Sequence, residues 1–378
     1  MARLRNFILV VLSSQAALFS WSCNCKATVE VKPEKHVALF IFGDSYVDVG
    51  NNNFINTTVD QQANFWPYGQ THFDSPTGRY SDGRVMSDFV AQYANLPLIP
   101  PFLQPGAEYH YGANFASGGG GALVETFRDD MVIDLGTQLS HFKKVQTWLT
   151  NELGVDAAET IISNAVYFFC IGINDYLGPV WTDSSVLDTY TNSQYVGMVT
   201  GNVTSVIEEI HELGGRKFAF INLPNLGCFP AVRILRPQEE DGCMEELSVL
   251  AKMHNKALFN LLVELEYKLD GFKYGLFDLH SNIEERLNLL SSTHGHETGH
   301  SACCGSGKFR ADLSCGDKRG MAYEVCENPH EFVYWDSVHL TEYTNKQFAD
   351  HMWGDNPSPF VLGPYTLKKL FQIDQFDG

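Results

Sequence analysis

Unbroken apolar runs alternate along the chain with longer stretches whose apolar residues recur at helical spacing. The run Val37-Ala38-Leu39-Phe40-Ile41-Phe42 has no polar position, which suits a strand buried on both faces. Apolar stretches at 111–115, 165–173, 217–223 and 272–279 predict four more strands. Between them the spacing predicts helices over 83–93, 139–153, 195–213, 247–269 and 283–290, with a final one over 341–353. Gly214-Gly215 closes the third of these. Alternation of this kind implies an α/β fold, with a central parallel sheet of about five strands and helices on both faces. No internal repeat, low-complexity linker or composition break divides the chain, so 37–370 reads as one domain.

The ends of these runs carry the polar groups. The first run stops at Gly43 and presents Asp44 and Ser45. In an open parallel sheet, ligands bind beyond the carboxyl ends of the strands, so Ser45 becomes a hydroxyl at the mouth of a crevice. Gly-Asp-Ser alone is a weak signal, because turns favour all three residues. The second run leads into Gly118-Gly119-Gly120-Gly121, and the third into Asn174-Asp175. Taken singly, such glycines turn a chain and such an Asn caps a helix. If the three ends converge, the Ser45 N–H, a glycine N–H and the Asn174 amide form an oxyanion hole. Trp335-Asp336-Ser337-Val338-His339 sets a carboxylate three residues before an imidazole. Asp336 would then orient His339 to take the Ser45 proton. The stretch 46–82 reads as a long loop covering the site, and its aromatics from Phe54 to Phe73 suggest an acyl or aromatic substrate. A G-x-S-x-G elbow is absent, which argues against an ordinary α/β-hydrolase.

Composition narrows the setting. With 44% hydrophobic and 19% charged residues among 378, the chain can bury a sizeable core. A formal net charge of -19 argues against nucleic acid and against an anionic membrane surface as partners. Arg3 and Arg5, the apolar 7–21 and the small residues of 22–28 read as a signal peptide over 1–26, too short to span a bilayer comfortably. A secreted protein is expected to carry disulfides. Cys303, Cys304, Cys315 and Cys326 crowd one Gly-rich stretch, and Cys228 and Cys243 are spaced to close a further loop. Their pairing is open at this level, and Cys170 reads as a buried free thiol. Asn56 and Asn202 head N-glycosylation sequons. His296-Glu297-Thr298-Gly299-His300 matches H-E-x-x-H, with His294 and Cys303 nearby. That zinc signature needs a helix, which Gly295 and Gly299 weaken. A zinc hydrolase is therefore the minor alternative, and no metal or cofactor is expected.

Five segments together, FGDSYVDVGNNN at 42–53, PTGRYSDGR at 76–84, ANFASGGGGAL at 113–123, IGINDY at 171–176 and WDSVHLTE at 335–342, carry a specific resemblance. Over about 37–370 the chain resembles the plant secreted branch of the GDSL esterase/lipase family, the SGNH hydrolases. The resemblance implies a flavodoxin-like three-layer α/β/α sandwich. It implies Ser45 as nucleophile, Gly119 and Asn174 as oxyanion donors beside the Ser45 N–H, and His339 as base oriented by Asp336. Many relatives have Gly-Ala-Gly where this chain has Gly119-Gly120-Gly121, and Pro where it has Leu340. The implied reaction is hydrolysis of a small-molecule or lipid carboxylic ester through an acyl-enzyme. Acyl transfer to an alcohol would use the same residues and is the main alternative. A non-catalytic binding protein is disfavoured by the completeness of the set. A monomer in the apoplast or cell wall, without stable membrane insertion, completes the expectation.

Overall fold

Five strands, β1 (Leu39–Gly43), β2 (Gly112–Asn114), β3 (Val166–Cys170), β4 (Lys217–Ile221) and β5 (Lys273–Phe277), pair in parallel in the order β2-β1-β3-β4-β5. This is the flavodoxin-like order. The computed structural model describes residues 36–182, 184–235, 243–294, 300–354 and 358–373. The leader stretch 1–26 and the segment holding His296 and Glu297 lie outside the described residues.

Every residue of β1, β3 and β4 is buried, on both pleat faces, which only a sheet covered by helices on each side allows. Register follows from the aromatic side chains. Phe40 pairs with Tyr167 and Tyr167 with Phe218, while Phe42 pairs with Phe169 and Phe169 with Phe220. The rings stack across the strands, Phe42 on Phe169 at 4.9 Å and Phe169 on Phe220 at 5.2 Å. Each such cross-strand pair contributes roughly 0.2–1 kcal/mol, and a slip of one residue would turn every ring to the opposite face.

The flanking helices match the predicted ones with shifted ends, two starting later than expected and four earlier. The helix Leu135–Leu153 starts earlier than expected because the Asp134 carboxylate caps it, accepting from the Thr137 N–H at 3.0 Å. Helices also run over Met86–Tyr93, Asn192–Glu212, Glu245–Lys268, Leu279–His294 and Glu342–Trp353. Helices that were not foreseen include Val155–Asn164, Ile173–Trp181 and Leu367–Gln372. The first buries only Ala158 and Ile162, too narrow a stripe to read as periodicity.

Past the fifth strand, the Cys-rich stretch folds into an antiparallel pair, β6 (Cys304–Gly305) and β7 (Glu324–Val325). Disulfides join Cys303 to Cys326, Cys304 to Cys315 and Cys228 to Cys243, and Cys170 is a buried free thiol. Cys303, Cys304 and Cys315 pack with Phe65, Tyr68, Tyr80 and Trp335 into a second, smaller core. No described helix is long and apolar enough to cross a membrane.

Candidate active site

The sheet brings three strand ends side by side. Gly43, the last residue of β1, pairs with Cys170, the last of β3, and Ile41 pairs with Asn114, the last of β2. Backbone bonds continue this alignment past the strands, from Ser117 N to Gly43 O at 3.1 Å and from Asp44 N to Cys170 O at 3.0 Å. The β1/β3 pair is the point where the strand order reverses, and there an open α/β sheet leaves a crevice. Ser45, the glycine loop and Asn174 therefore surround one cavity of about 260 Å³, which Asp336 and His339 also line.

Asp48, Asn51 and Asn52 tie the first two strand ends together. Asp48 accepts from the N–H groups of Gly50, Asn51 and Gly118. The Asn51 amide donates to the carbonyls of Asn114 and Ala116, and the Asn52 amide to that of Gly118 at 2.9 Å. The Asn-rich motif is thus a splice that fixes the glycine loop against Ser45.

A five-residue turn presents the histidine. It is closed by a bond from Trp335 N to His339 O at 2.7 Å, and Asp336 Oδ1 accepts from the N–H groups of Val338 and His339. Tyr46, beside Ser45, donates its hydroxyl to Val338 O at 2.9 Å and so pins the turn over the strand end. The PTGRYSDGR segment holds the helix that follows the turn. Asp82 accepts from Glu342 N at 2.7 Å, and Arg84 is paired with Glu342. A Cβ on Gly83 would stand 1.6 Å from a Glu342 carboxylate oxygen, so a side chain there would push that carboxylate off Arg84.

These supports set Ser45 Oγ 2.8 Å from His339 Nε2, and His339 Nδ1 2.9 Å from both oxygens of Asp336. With Nδ1–H donating to the carboxylate, Nε2 is left to accept the Ser45 hydroxyl hydrogen. Burial alone would raise the pKa of Asp336. The His339 ring opposite it and the N–H bonds of His339 and Val338 outweigh burial and hold the carboxyl well below its usual range.

Among the four glycines, hydrogen bonding leaves the N–H groups of Gly119 and Gly121 without an acceptor among the described residues, and of these two only Gly119 lines the cavity. Gly118 N is given to Asp48 and Gly120 N to Ser117 O, whereas Gly119 N and Ser45 N have no acceptor among the described residues. Gly119 lines the cavity, and its φ of +76° is a conformation that a side chain would strain. Asn174 sits in the first turn of the helix Ile173–Trp181, where one amide hydrogen goes to Gly120 O at 2.9 Å. A primary amide has two hydrogens, so one remains for the cavity.

Four contributors were not anticipated from sequence. Tyr68 donates its hydroxyl to Asp336 Oδ2. Arg319, from the disulfide-tied lobe, lines the cavity, bonds to Asp60 and lies against Tyr68. Phe127 and Trp181 supply apolar surface. Of the loop aromatics from Phe54 to Phe73 only Tyr68 lines the cavity, beside Asp60 and Gln61 of the same loop. Phe54 and Trp66 face solvent and Phe65 packs into the smaller core, because the loop is spent on covering that core and on bracing Asp336. Among the described residues no group of three or more metal-ligating side chains exists.

The model of the GDSL-like Lipase/Acylhydrolase family matches residues 39–352. The chain is 49% identical over 375 residues to GDSL esterase/lipase 5 of Arabidopsis thaliana, spanning 97% of this chain and 96% of that one. It is 47% identical over 342 residues to GDSL esterase/lipase 1 of Arabidopsis thaliana, spanning 89% and 90%. Against a GDSL lipase of Tanacetum cinerariifolium the identity is 44% over 340 residues, spanning 90% and 89%. With its flavodoxin-like sheet and the serine crevice at the β1/β3 reversal, the chain belongs to the GDSL esterase/lipase family of SGNH-type hydrolases.

Proposed function

We propose that the protein hydrolyses carboxylic esters through an acyl-enzyme on Ser45. The observation that carries this reading is the aligned Ser45–His339–Asp336 contact, with bonds of 2.8 and 2.9 Å. Ser45 Oγ attacks the ester carbonyl carbon while His339 Nε2 takes its proton. The carbonyl electron pair moves onto oxygen, which accepts from the N–H groups of Ser45 and Gly119 and from the Asn174 amide. Collapse expels the alcohol, which collects the proton from His339. Water then gives a proton to His339 and attacks the acyl carbon. Release of the acid returns the proton to Ser45.

The test is intact-protein mass after exposure to a fluorophosphonate, together with turnover of an ester panel by wild type and Ser45→Ala. Covalent labelling of wild type alone, with turnover lost in the variant, supports the reading. Wild-type turnover by Ser45→Ala would end it. Adding acceptor alcohols to the same assay separates hydrolysis from acyl transfer by the product formed.

The working compartment follows from the same chemistry. Three disulfides suit an oxidising environment. We read 1–26 as a cleaved leader, and Asn56 and Asn202 as glycan acceptors, since both side chains are exposed. The product is a secreted monomer acting on small-molecule or lipid esters, without a cofactor.

A further inference from the structure

The cavity at Ser45, about 260 Å³, is smaller than the roughly 300–1,000 Å³ typical of small-molecule sites. A second cavity of about 440 Å³ adjoins it, and Phe127 and Asp130 line both. Phe127 stands between them. Its backbone is left-handed, with φ of 44° and ψ of 36°, and its ring lies against Gly178 and faces Trp181 at 6.2 Å between centroids.

The second cavity has an apolar floor. Leu123, Pro179, Val186 and Met198 line it. Its buried polar side chains are already satisfied, since the Thr126 hydroxyl donates to the Asp175 carboxylate and the Tyr195 hydroxyl to the Asp175 carbonyl, each at 2.7 Å. Of the charged residues lining it, Glu125, Arg128 and Asp129 are exposed to water, and the half-buried Asp130 carboxylate accepts from the Gln61 amide at 3.0 Å. Asp175 also accepts from Ala122 N and Leu123 N. The residue after Asn174 therefore anchors the loop that carries Phe127, and gate and oxyanion site share one support.

We propose that this second cavity receives a long apolar arm of the ester and that Phe127 sets how much of it is reached. The substrate class is then an ester bearing an extended aliphatic chain, a refinement that rests on the reading of Ser45 as nucleophile. An arm leaving the carbonyl carbon past Phe127 exchanges water for Leu123, Val186 and Met198, whereas a short ester never arrives there.

The experiment compares kcat/KM for p-nitrophenyl butanoate and dodecanoate, and separately for butyl and dodecyl acetate. The first pair lengthens the acyl arm and the second the alcohol arm. Phe127→Ala should raise the long-to-short ratio about tenfold in one of the two series, and Val186→Trp should lower it about tenfold in the same series. Misfolding cannot move the ratio in both directions. Ratios unchanged by both variants in both series would overturn the proposal. Calorimetry on Ser45→Ala keeps this inference separate from the chemistry. It should bind dodecanoate ester more tightly than butanoate, or dodecyl acetate more tightly than butyl acetate, and adding Val186→Trp should erase the difference. Equal binding of long and short esters in both series would refute the cavity's role even if Ser45 is the nucleophile. A chain-length difference that Val186→Trp erases would uphold it even if Ser45 is not.

Discussion

The Tyr68 hydroxyl donates to Asp336 Oδ2 at 2.7 Å, joining two residues 268 positions apart. Burial, with the charge of Asp336 beside it, raises the Tyr68 pKa well above 10, so the phenol stays a donor at every working pH. One Asp336 oxygen thus faces both its own turn and His339, and the other is shared between His339 and Tyr68. Tyr68→Phe removes one bond to a charged group, commonly about 1.5–3 kcal/mol, without touching Ser45 or His339. The expected outcome is a kcat at least about tenfold lower, a nearly unchanged KM and a thermal transition that is lowered but still cooperative. Steady-state kinetics beside a melting curve decide it. An unchanged kcat would reduce Tyr68 to packing.

Arg79 and Asp88 form a buried bidentate pair, with both bonds at 2.7 Å, and Asp88 also accepts from Val85 N. Arg79→Ala leaves an uncompensated carboxylate inside the protein and should cost about 3–5 kcal/mol in urea unfolding. Replacing both partners, as Arg79→Met with Asp88→Leu, should recover much of that loss. Equal destabilisation by the single and double variants would show that the pair fixes the chain locally rather than merely balancing charge.

The parallel sheet and the meeting of Ser45, the glycine loop and Asn174 were legible because each motif follows a buried apolar run, whereas the strand order was implied only by the family resemblance. Once the β1, β2 and β3 runs are read as parallel neighbours, Ser45, Gly119 and Asn174 must meet at one edge. His339 was legible through its turn, whose carboxylate is local. Tyr68 was visible as one of many aromatics, but its partner is distant and nothing in spacing links the two. Arg319 was hidden for another reason. It lies in a disulfide-tied lobe without periodicity, where Cys315 O accepts from its Nε at 3.1 Å. Phe127 was hidden by its left-handed backbone, which no residue pattern announces for a side chain other than Gly.

Asp44, next to Ser45, is fully enclosed. Its Oδ1 accepts from Tyr46 N, while Oδ2 has no hydrogen-bond partner. Burial is the main cause of a pKa raised to about 8, with Asp175 adding to it and the Tyr46 N–H opposing it. A group raised in the folded state stabilises the fold fully below its unfolded pKa near 3.8, and that contribution is lost as pH rises through about 8. Melting temperature should therefore fall from pH 5 to pH 8. Asp44→Asn, which mimics the neutral acid, should flatten this slope. Melting curves of the two proteins across that range settle the point, and an identical slope in both would assign the dependence elsewhere.

Asn174 gives one amide hydrogen to Gly120 O and has the other left toward the cavity, where the proposed reaction would use it. Asn174→Ala removes both and should lower kcat about 10²–10³-fold, as loss of one preorganised oxyanion donor does. KM should move little, because the donor tightens only as negative charge develops on the substrate oxygen. Asn174→Asp sharpens the argument. It keeps the volume but sets a carboxylate against Gly120 O and against the developing oxyanion, so kcat should fall at least as far. The two variants differ in charge at nearly the same position, and their rates separate donation from simple space filling. Were Asn174→Asp to keep most of the wild-type kcat, the oxyanion would have to be held by Ser45 N and Gly119 N alone.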